Sequence, residues 1–347
     1  MRKFFSLFLG VLLFTITVSF AGSEAGERDD LAPLFGTWKW VALNDQGQDP
    51  EGKQTSFFVQ NKKDPKRASS EHRDIGIRPF AGYRVYVSRN EGRTWTIEAA
   101  PIKGLSTLGA VDPAPILMPQ GDILLYSLGS NQTRGDPARS QPDNTWRILV
   151  ARSKDGGKTF AEEGVAYQEN KSMTDPFALR LKDGLIRIYI SRGNRVLSAT
   201  SRDGIVFERD PGFRSDRKGG VPGAVIVNDG TVYLFVCERQ GIRRLRSSDG
   251  MDFRDDGMAI KAPSGRAVCD PHPMHNPKGG YVMAYKEKDP AVKDPRFDEI
   301  RLADSVDGRS WTPRREKVGT GSVPGLVIAK DGTWRIYATG RPPAMGR

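Results

Sequence analysis

Five short segments of this chain carry one turn signature, and no other feature of the sequence restricts the fold as strongly. They are Ser88 to Trp95 (SRNEGRTW), Ser153 to Phe160 (SKDGGKTF), Ser201 to Phe207 (SRDGIVF), Ser247 to Phe253 (SSDGMDF) and Ser305 to Trp311 (SVDGRSW). In each, the Asp or Asn side chain can accept hydrogen bonds from amides of its own turn, Gly accepts a positive φ, and the closing aromatic packs beneath. This chemistry builds a stable hairpin and catalyses nothing. Five copies at regular spacing point to one structural unit repeated around or along an axis.

A second element alternates with the first: residues 111 to 128, 174 to 191, 221 to 236, 269 to 285 and 323 to 338. Each begins with an apolar strand led by Pro113, Pro176, Pro222, Pro271 or Pro324, makes a tight turn and returns as a second apolar strand. The expected fold is all-β: a five-bladed β-propeller of four-stranded antiparallel blades, with a six-bladed ring as the alternative. Each Pro-led pair joins the following turn-signature pair. The last Pro-led pair therefore has to join the first turn-signature pair, closing the ring between the two ends and leaving no open sheet edge. The expected boundaries are a propeller over 81–342, a tail over 343–347, and a segment over 22–80 that either caps the ring or forms a degenerate blade.

Blade geometry converts repeat positions into a candidate site. Starts of first strands and ends of second strands share one rim, opposite the turn signatures. The residue before the repeat proline is Asp112, Asp175, Val221, Asp270 and Val323 in successive blades, so three carboxyls head three inner strands. Asp112, Asp175, Glu238 and Asp270 are the catalytic candidates. Arg192, Arg239, His272, Glu287 and Arg341, near the same rim, are the candidates for binding substrate. Acids packed among one another and beside arginines have their proton affinities pushed apart, which acid/base chemistry on a sugar requires. The competing account is structural, because Asp before Pro often caps its own loop and rim arginines often serve only as solvated charges. His272 and His275 suit a metal only on a helix, which Pro271 and Pro273 disfavour, so no metal or cofactor is expected.

Arg2 and Lys3, the apolar run Phe4 to Phe20 and the small residues around Ala21 read as an export signal over 1–21, with a secreted or periplasmic destination and no membrane anchor after cleavage. Cys237 and Cys269 end and begin neighbouring elements on one rim and are the candidate disulfide, which suits an oxidising compartment. The formal charge of +11 fits an anionic glycan partner as well as plain solubility. A nucleic-acid partner is not expected, since no recognition helix or aromatic-and-basic signature is present. The expected state is a monomer.

The five octets and heptets resemble the Asp-box, or BNR repeat, of sialidases and related propellers. The whole pattern over 83–340 resembles the five-bladed glycoside hydrolases that include arabinanases, xylosidases, levansucrases and invertases. That resemblance implies a base or nucleophile at Asp112, an orienting carboxyl at Asp175 and an acid in the next blade. There this chain has Val221-Pro222-Gly223, which leaves Glu238 as the nearest substitute. The Arg-Ile-Pro motif of sialidases is missing, Ile77-Arg78-Pro79 being a faint echo, so ordinary sialidase activity is not expected. The function expected is that of a glycoside hydrolase-like protein, inverting if its two carboxyls stand about 6.5–9.5 Å apart. The alternative is a non-catalytic propeller that binds glycan or protein through the same rim.

Overall fold

A computed structural model describes residues 37–38, 59–60, 82–103, 111–129, 145–215, 219–292 and 297–339. The chain divides into two units, Met1–Ile77 and Arg78–Arg347. In the first, β1 (Thr37–Trp38) pairs antiparallel with β2 (Val59–Gln60). Arg341 and the export-signal residues lie outside the described residues.

The second unit is a ring of five antiparallel four-stranded blades. Blade 1 contains β5 (Val111–Leu117), β6 (Ile123–Gly129), β7 (Trp146–Ser153) and β8 (Phe160–Glu169). Blade 2 contains β9 (Thr174–Arg180), β10 (Ile186–Arg192), β11 (Arg195–Ser201) and the short β12 (Glu208–Arg209). Blade 3 contains β13 (Gly220–Ile226), β14 (Val232–Glu238), β15 (Gly241–Ser247) and β16 (Arg254–Lys261). Blade 4 contains β17 (Ala267–His275), β18 (Tyr281–Lys288), β19 (Glu299–Ser305) and β20 (Thr312–Thr320).

Blade 5 closes the ring from both directions. Its inner strands are β21 (Ser322–Ile328) and β22 (Trp334–Thr339), and its outer strands are β3 (Gly82–Ser88) and β4 (Thr96–Lys103). The β22–β3 ladder runs from Trp334 opposite Ser88 to Ala338 opposite Arg84, as the alternation of hairpins requires.

Second strands such as β6, ILLYSLG, are buried along their whole length because a neighbouring blade covers each face. Outer strands such as β20 are largely exposed. The apolar side chains accordingly gather in five clusters, one at each blade interface, rather than in one central core. Each turn signature does the work its residues suggest. In the turn between β7 and β8 of blade 1, the Ser153 hydroxyl donates to Asp155 (2.7 Å), and Asp155 Oδ1 accepts the amides of Lys158 and Thr159 (3.0 Å each). These turns also latch blades together: Tyr126, Tyr189 and Tyr337 each donate a hydroxyl to a glycine carbonyl (Gly204, Gly250 and Gly157) in the turn of the following blade.

Candidate active site

The residue ahead of the repeat proline adopts a left-handed backbone in all five inner strands: Asp112 (φ 56°), Asp175 (50°), Val221 (53°), Asp270 (55°) and Val323 (48°). Such a conformation is unusual for any residue with a Cβ and is strained for valine. Its recurrence follows from a bulge. Pairing jumps from Val111–Leu128 to Ala114–Tyr126 in blade 1, from Thr174–Ser191 to Phe177–Tyr189 in blade 2, and likewise in the other three. One extra residue on the inner strand frees the amide of the bulged residue from its own ladder, and a buried amide needs another acceptor.

In every blade that acceptor belongs to the preceding blade. The amide of Asp112 donates to Thr339 Oγ1 (3.0 Å), Val221 to Ser191 Oγ (3.1 Å) and Asp270 to Cys237 Sγ (3.1 Å). Thr339, Ser191 and Cys237 hold one equivalent position, opposite the residue just before the bulge. At that position blade 1 has Leu128 and blade 4 has Lys286, neither of which can accept. There the bulged aspartate of the same blade substitutes: Asp112 Oδ2 accepts the amide of Asp175 (3.3 Å), and Asp270 Oδ2 accepts that of Val323 (2.9 Å). Two of the three carboxyls therefore have a structural duty as clasps between blades. Asp175 has none, because Ser191 already serves the next blade; among the described residues its carboxyl accepts the hydroxyl of the neighbouring Thr174 (2.5 Å).

Lys286 neutralises one clasp. Its ammonium lies 2.8 Å from Asp270 Oδ2 and 4.0 Å from Asp298 Oδ2, and donates to Ser322 Oγ (3.2 Å). Burial works against the lysine charge, but Asp270 and Asp298 outweigh it and raise its pKa. Among the described residues neither Asp112 nor Asp175 has an ion pair of this kind, and the longer-range pull of Lys286 on both is outweighed. Both keep part of their surface open, yet burial and then carboxylate repulsion raise their pKa values: Asp112, facing Asp175, well above the usual carboxylate range, and Asp175, facing Asp270, to about 6.

Two residues beyond each bulged position stand Ala114, Phe177, Gly223, His272 and Gly325, all buried. Two large rings and three small residues share this layer, and the Phe177 and His272 rings pack at a tilt of 58° with centroids 4.7 Å apart. They close the floor beneath the acidic layer. Burial drives His272 down to about 3, so it is a neutral packing group there, bonded to the backbone of Leu326.

Among the described residues, the remaining rim candidates Glu238, Glu287, Arg192 and Arg239 have other partners or surroundings. Glu238 pairs with Arg243 of the next strand outward (2.6 Å), which also holds Asp255. Glu287, only 7% exposed, lies between Arg266 (2.9 Å) and Arg301 (3.5 Å). Arg192 pairs with Glu169 of blade 1, and Arg239 is exposed in the turn after β14. Cys237 and Cys269 form a disulfide that ties β14 of blade 3 to β17 of blade 4, with Cα atoms 5.1 Å apart.

The same folded arrangement occurs in solved structures. An α-L-arabinofuranosidase from Clostridium thermocellum superposes with a TM-score of 0.51 at 19% identity, covering 68% of this chain and 83% of that one. A thermostable family-43 glycoside hydrolase gives 0.51 at 14% identity over 66% and 83% of the two chains. An endo-1,4-β-xylanase from Bacteroides thetaiotaomicron gives 0.50 at 16% over 65% and 82%. What is shared is the fold. No protein-family model matches the sequence, and no curated protein matches it either.

The two raised carboxyls and the depressed histidine pull stability in opposite directions with pH. A carboxyl whose folded pKa lies above its unfolded value contributes stability that is complete below about 3.8 and is lost as pH rises through about 6. His272 contributes in the reverse sense, fully above about 6.5 and progressively less as pH falls toward 3. Asp175→Asn is therefore expected to melt at a higher temperature than the wild type at pH 8 and to lose most of that advantage by pH 4.5. Thermal unfolding across this range checks it; a variant less stable at pH 8 would show that Asp175 holds the fold together.

Proposed function

We infer that this chain is an exported propeller acting on glycans at its axial opening, with Asp112 as acid and Asp175 as base. The observation that carries this reading is that Asp175 is the one bulged carboxyl the blade clasps do not need. Carboxyls that repel each other lose their protons at different pH, leaving one as acid while the other is already a base. Asp112, the more strongly raised, would donate its proton to the departing glycosidic oxygen. Asp175, ionised above about 6, would take a proton from the water whose oxygen bonds to the anomeric carbon. The five turns are Asp-boxes in this reading, the chain is a monomer, and the Cys237–Cys269 bridge suits an oxidising compartment.

A screen of neutral and acidic oligosaccharides for released sugar tests it. Asp175→Asn should lower turnover by about a hundredfold or more, and wild-type kcat/KM should climb as pH passes through about 6. Unchanged turnover in Asp175→Asn overturns the assignment. A second reading, a propeller that binds glycan without cleaving it, is favoured by the pairing of Glu238 with Arg243 and by Val221 at the next bulge, which supply no further carboxyl at the axis. Oligosaccharide binding without turnover in the wild type would select it.

A further inference from the structure

Whether a bulged residue has to serve as a clasp depends on the residue across its own ladder, opposite the position just before the bulge. In blades 1 and 4 that residue is Leu128 or Lys286, and Asp112 and Asp270 accept the bulged amides of the next blade themselves. In blades 3 and 5 it is Cys237 or Thr339, which can accept, and the bulged residues there are Val221 and Val323. Blade 2 alone combines an acceptor, Ser191, with a bulged aspartate. Asp175 is spared the clasp because Ser191 is a serine.

The local geometry is built for that service. Ser191 is buried, and its hydroxyl donates to the Gly193 carbonyl (3.3 Å), which leaves its lone pairs for the Val221 amide (3.1 Å). The next blade makes room for it: a Cβ on Gly220 would come within 2.5 Å of Ser191 Oγ and 2.3 Å of the Gly193 carbonyl oxygen. Asp175 meanwhile meets other groups. Its Oδ2 accepts the Thr174 hydroxyl (2.5 Å), and its amide donates to Asp112 of β5. Asp270 of β17 and Asp112 oppose its ionisation, while Lys286 of β18 favours it. A carboxylate that also accepted a backbone amide would hold a proton less tightly and would have fewer lone pairs to offer a water.

We propose that Ser191 is a positioning residue for the axial site: by accepting the Val221 amide it keeps Asp175 out of the clasp role that Asp112 and Asp270 fill, and so available to a substrate water. Without the hydroxyl, the buried amide of Val221 would need another acceptor and would draw in the Asp175 carboxylate, as the equivalent amides do in blades 1 and 4. This role rests on the reading of Asp175 as the base, and adds what keeps it one.

The test follows the titration of Asp175 by carboxyl-carbon NMR, its signal assigned by its loss in Asp175→Asn, in the full-length wild type, Ser191→Ala and Ser191→Thr. The wild type should titrate at about 6. Ser191→Ala should move the midpoint below about 5. Ser191→Thr, which offers the hydroxyl that Thr339 offers in blade 5, should bring it back toward the wild-type position. The melting advantage of Asp175→Asn at pH 8 should vanish or reverse when Ser191→Ala is already present. On an oligosaccharide that the wild type cleaves, Ser191→Ala should lower kcat/KM by about tenfold or more, with its rising limb moved to lower pH. An unshifted midpoint in Ser191→Ala overturns the role of Ser191 and leaves Asp175 as base intact. Failure of Ser191→Ala to fold overturns it too, because blades 1 and 4 hold together with the aspartate alone. A shifted midpoint with unchanged kcat/KM upholds the exchange of clasps and removes Asp175 from the chemistry.

Discussion

Gly223→Val and Gly325→Val are each expected to destabilise the protein by about 3 kcal/mol or more, lowering the melting temperature by roughly 6–12 °C. Neither glycine has a positive φ, so the reason is not backbone freedom. A Cβ at Gly223 would run into the carbonyl oxygen of Pro271 in the next blade, and one at Gly325 into that of Pro113. Backbone cannot swing aside as a long side chain can, so inner strands of adjacent blades would have to part. The surrounding layer has no slack, because Phe177 and His272 already fill the axis beside Gly223. Unfolding in urea measures the loss. A melting temperature within about 1 °C of the wild type for either variant would mean that the inner strands are less tightly apposed than described.

Removing the disulfide should cost a similar amount by a different route. Cys237 and Cys269 are separated by 32 residues, and cross-linking a loop of that length restricts the unfolded chain by about 3.5–4 kcal/mol. The sulfur of Cys237 has a second role, as acceptor for the bulged amide of Asp270. Cys269→Ala keeps that sulfur and Cys237→Ala does not, so Cys237→Ala should be the more damaging of the two, and Cys237→Ser should recover part of the difference. Chemical denaturation of the three variants, beside the oxidised and reduced wild type, reads both contributions. Equal stability of oxidised and reduced protein would remove the bridge from the account of the fold.

Much of this architecture was legible in the residues. The turn signatures and Pro-led hairpins place every blade, their alternation requires closure between β22 and β3, and the shared register of Asp112, Asp175 and Asp270 holds. The partners of those aspartates were not legible, because side chains alternate between sheet faces and an offset of one residue reverses the face. Sequence reasoning favoured Arg192, Glu238 and Glu287 at the returning ends. The residues that face the next blade are the ones just before them, Ser191, Cys237 and Lys286. Only the bulge, invisible without the backbone, fixes that offset. The signal that could have found it is chemical: Ser191, Cys237 and Thr339 can accept a hydrogen bond while Leu128 and Lys286 cannot, and blades 1 and 4 are the blades whose own aspartate takes over. His272 looked like a ligand contact by its place beside Asp270, but alternation sends it into the floor against Phe177.

The composition of blade 5 reaches beyond the finished molecule. Its outer strands β3 and β4 precede the other four blades in the sequence, and the inner strands β21 and β22 that they need come after all of them. Until synthesis nears its end, β3 therefore waits with an unsatisfied row of amides and carbonyls, exposed to pairing with another copy of itself. The ring also has to be drawn shut across a very long stretch of chain, which makes closure a late and slow event in folding. Conditions that hold nascent chains apart during that interval should decide how much of this protein reaches its native state.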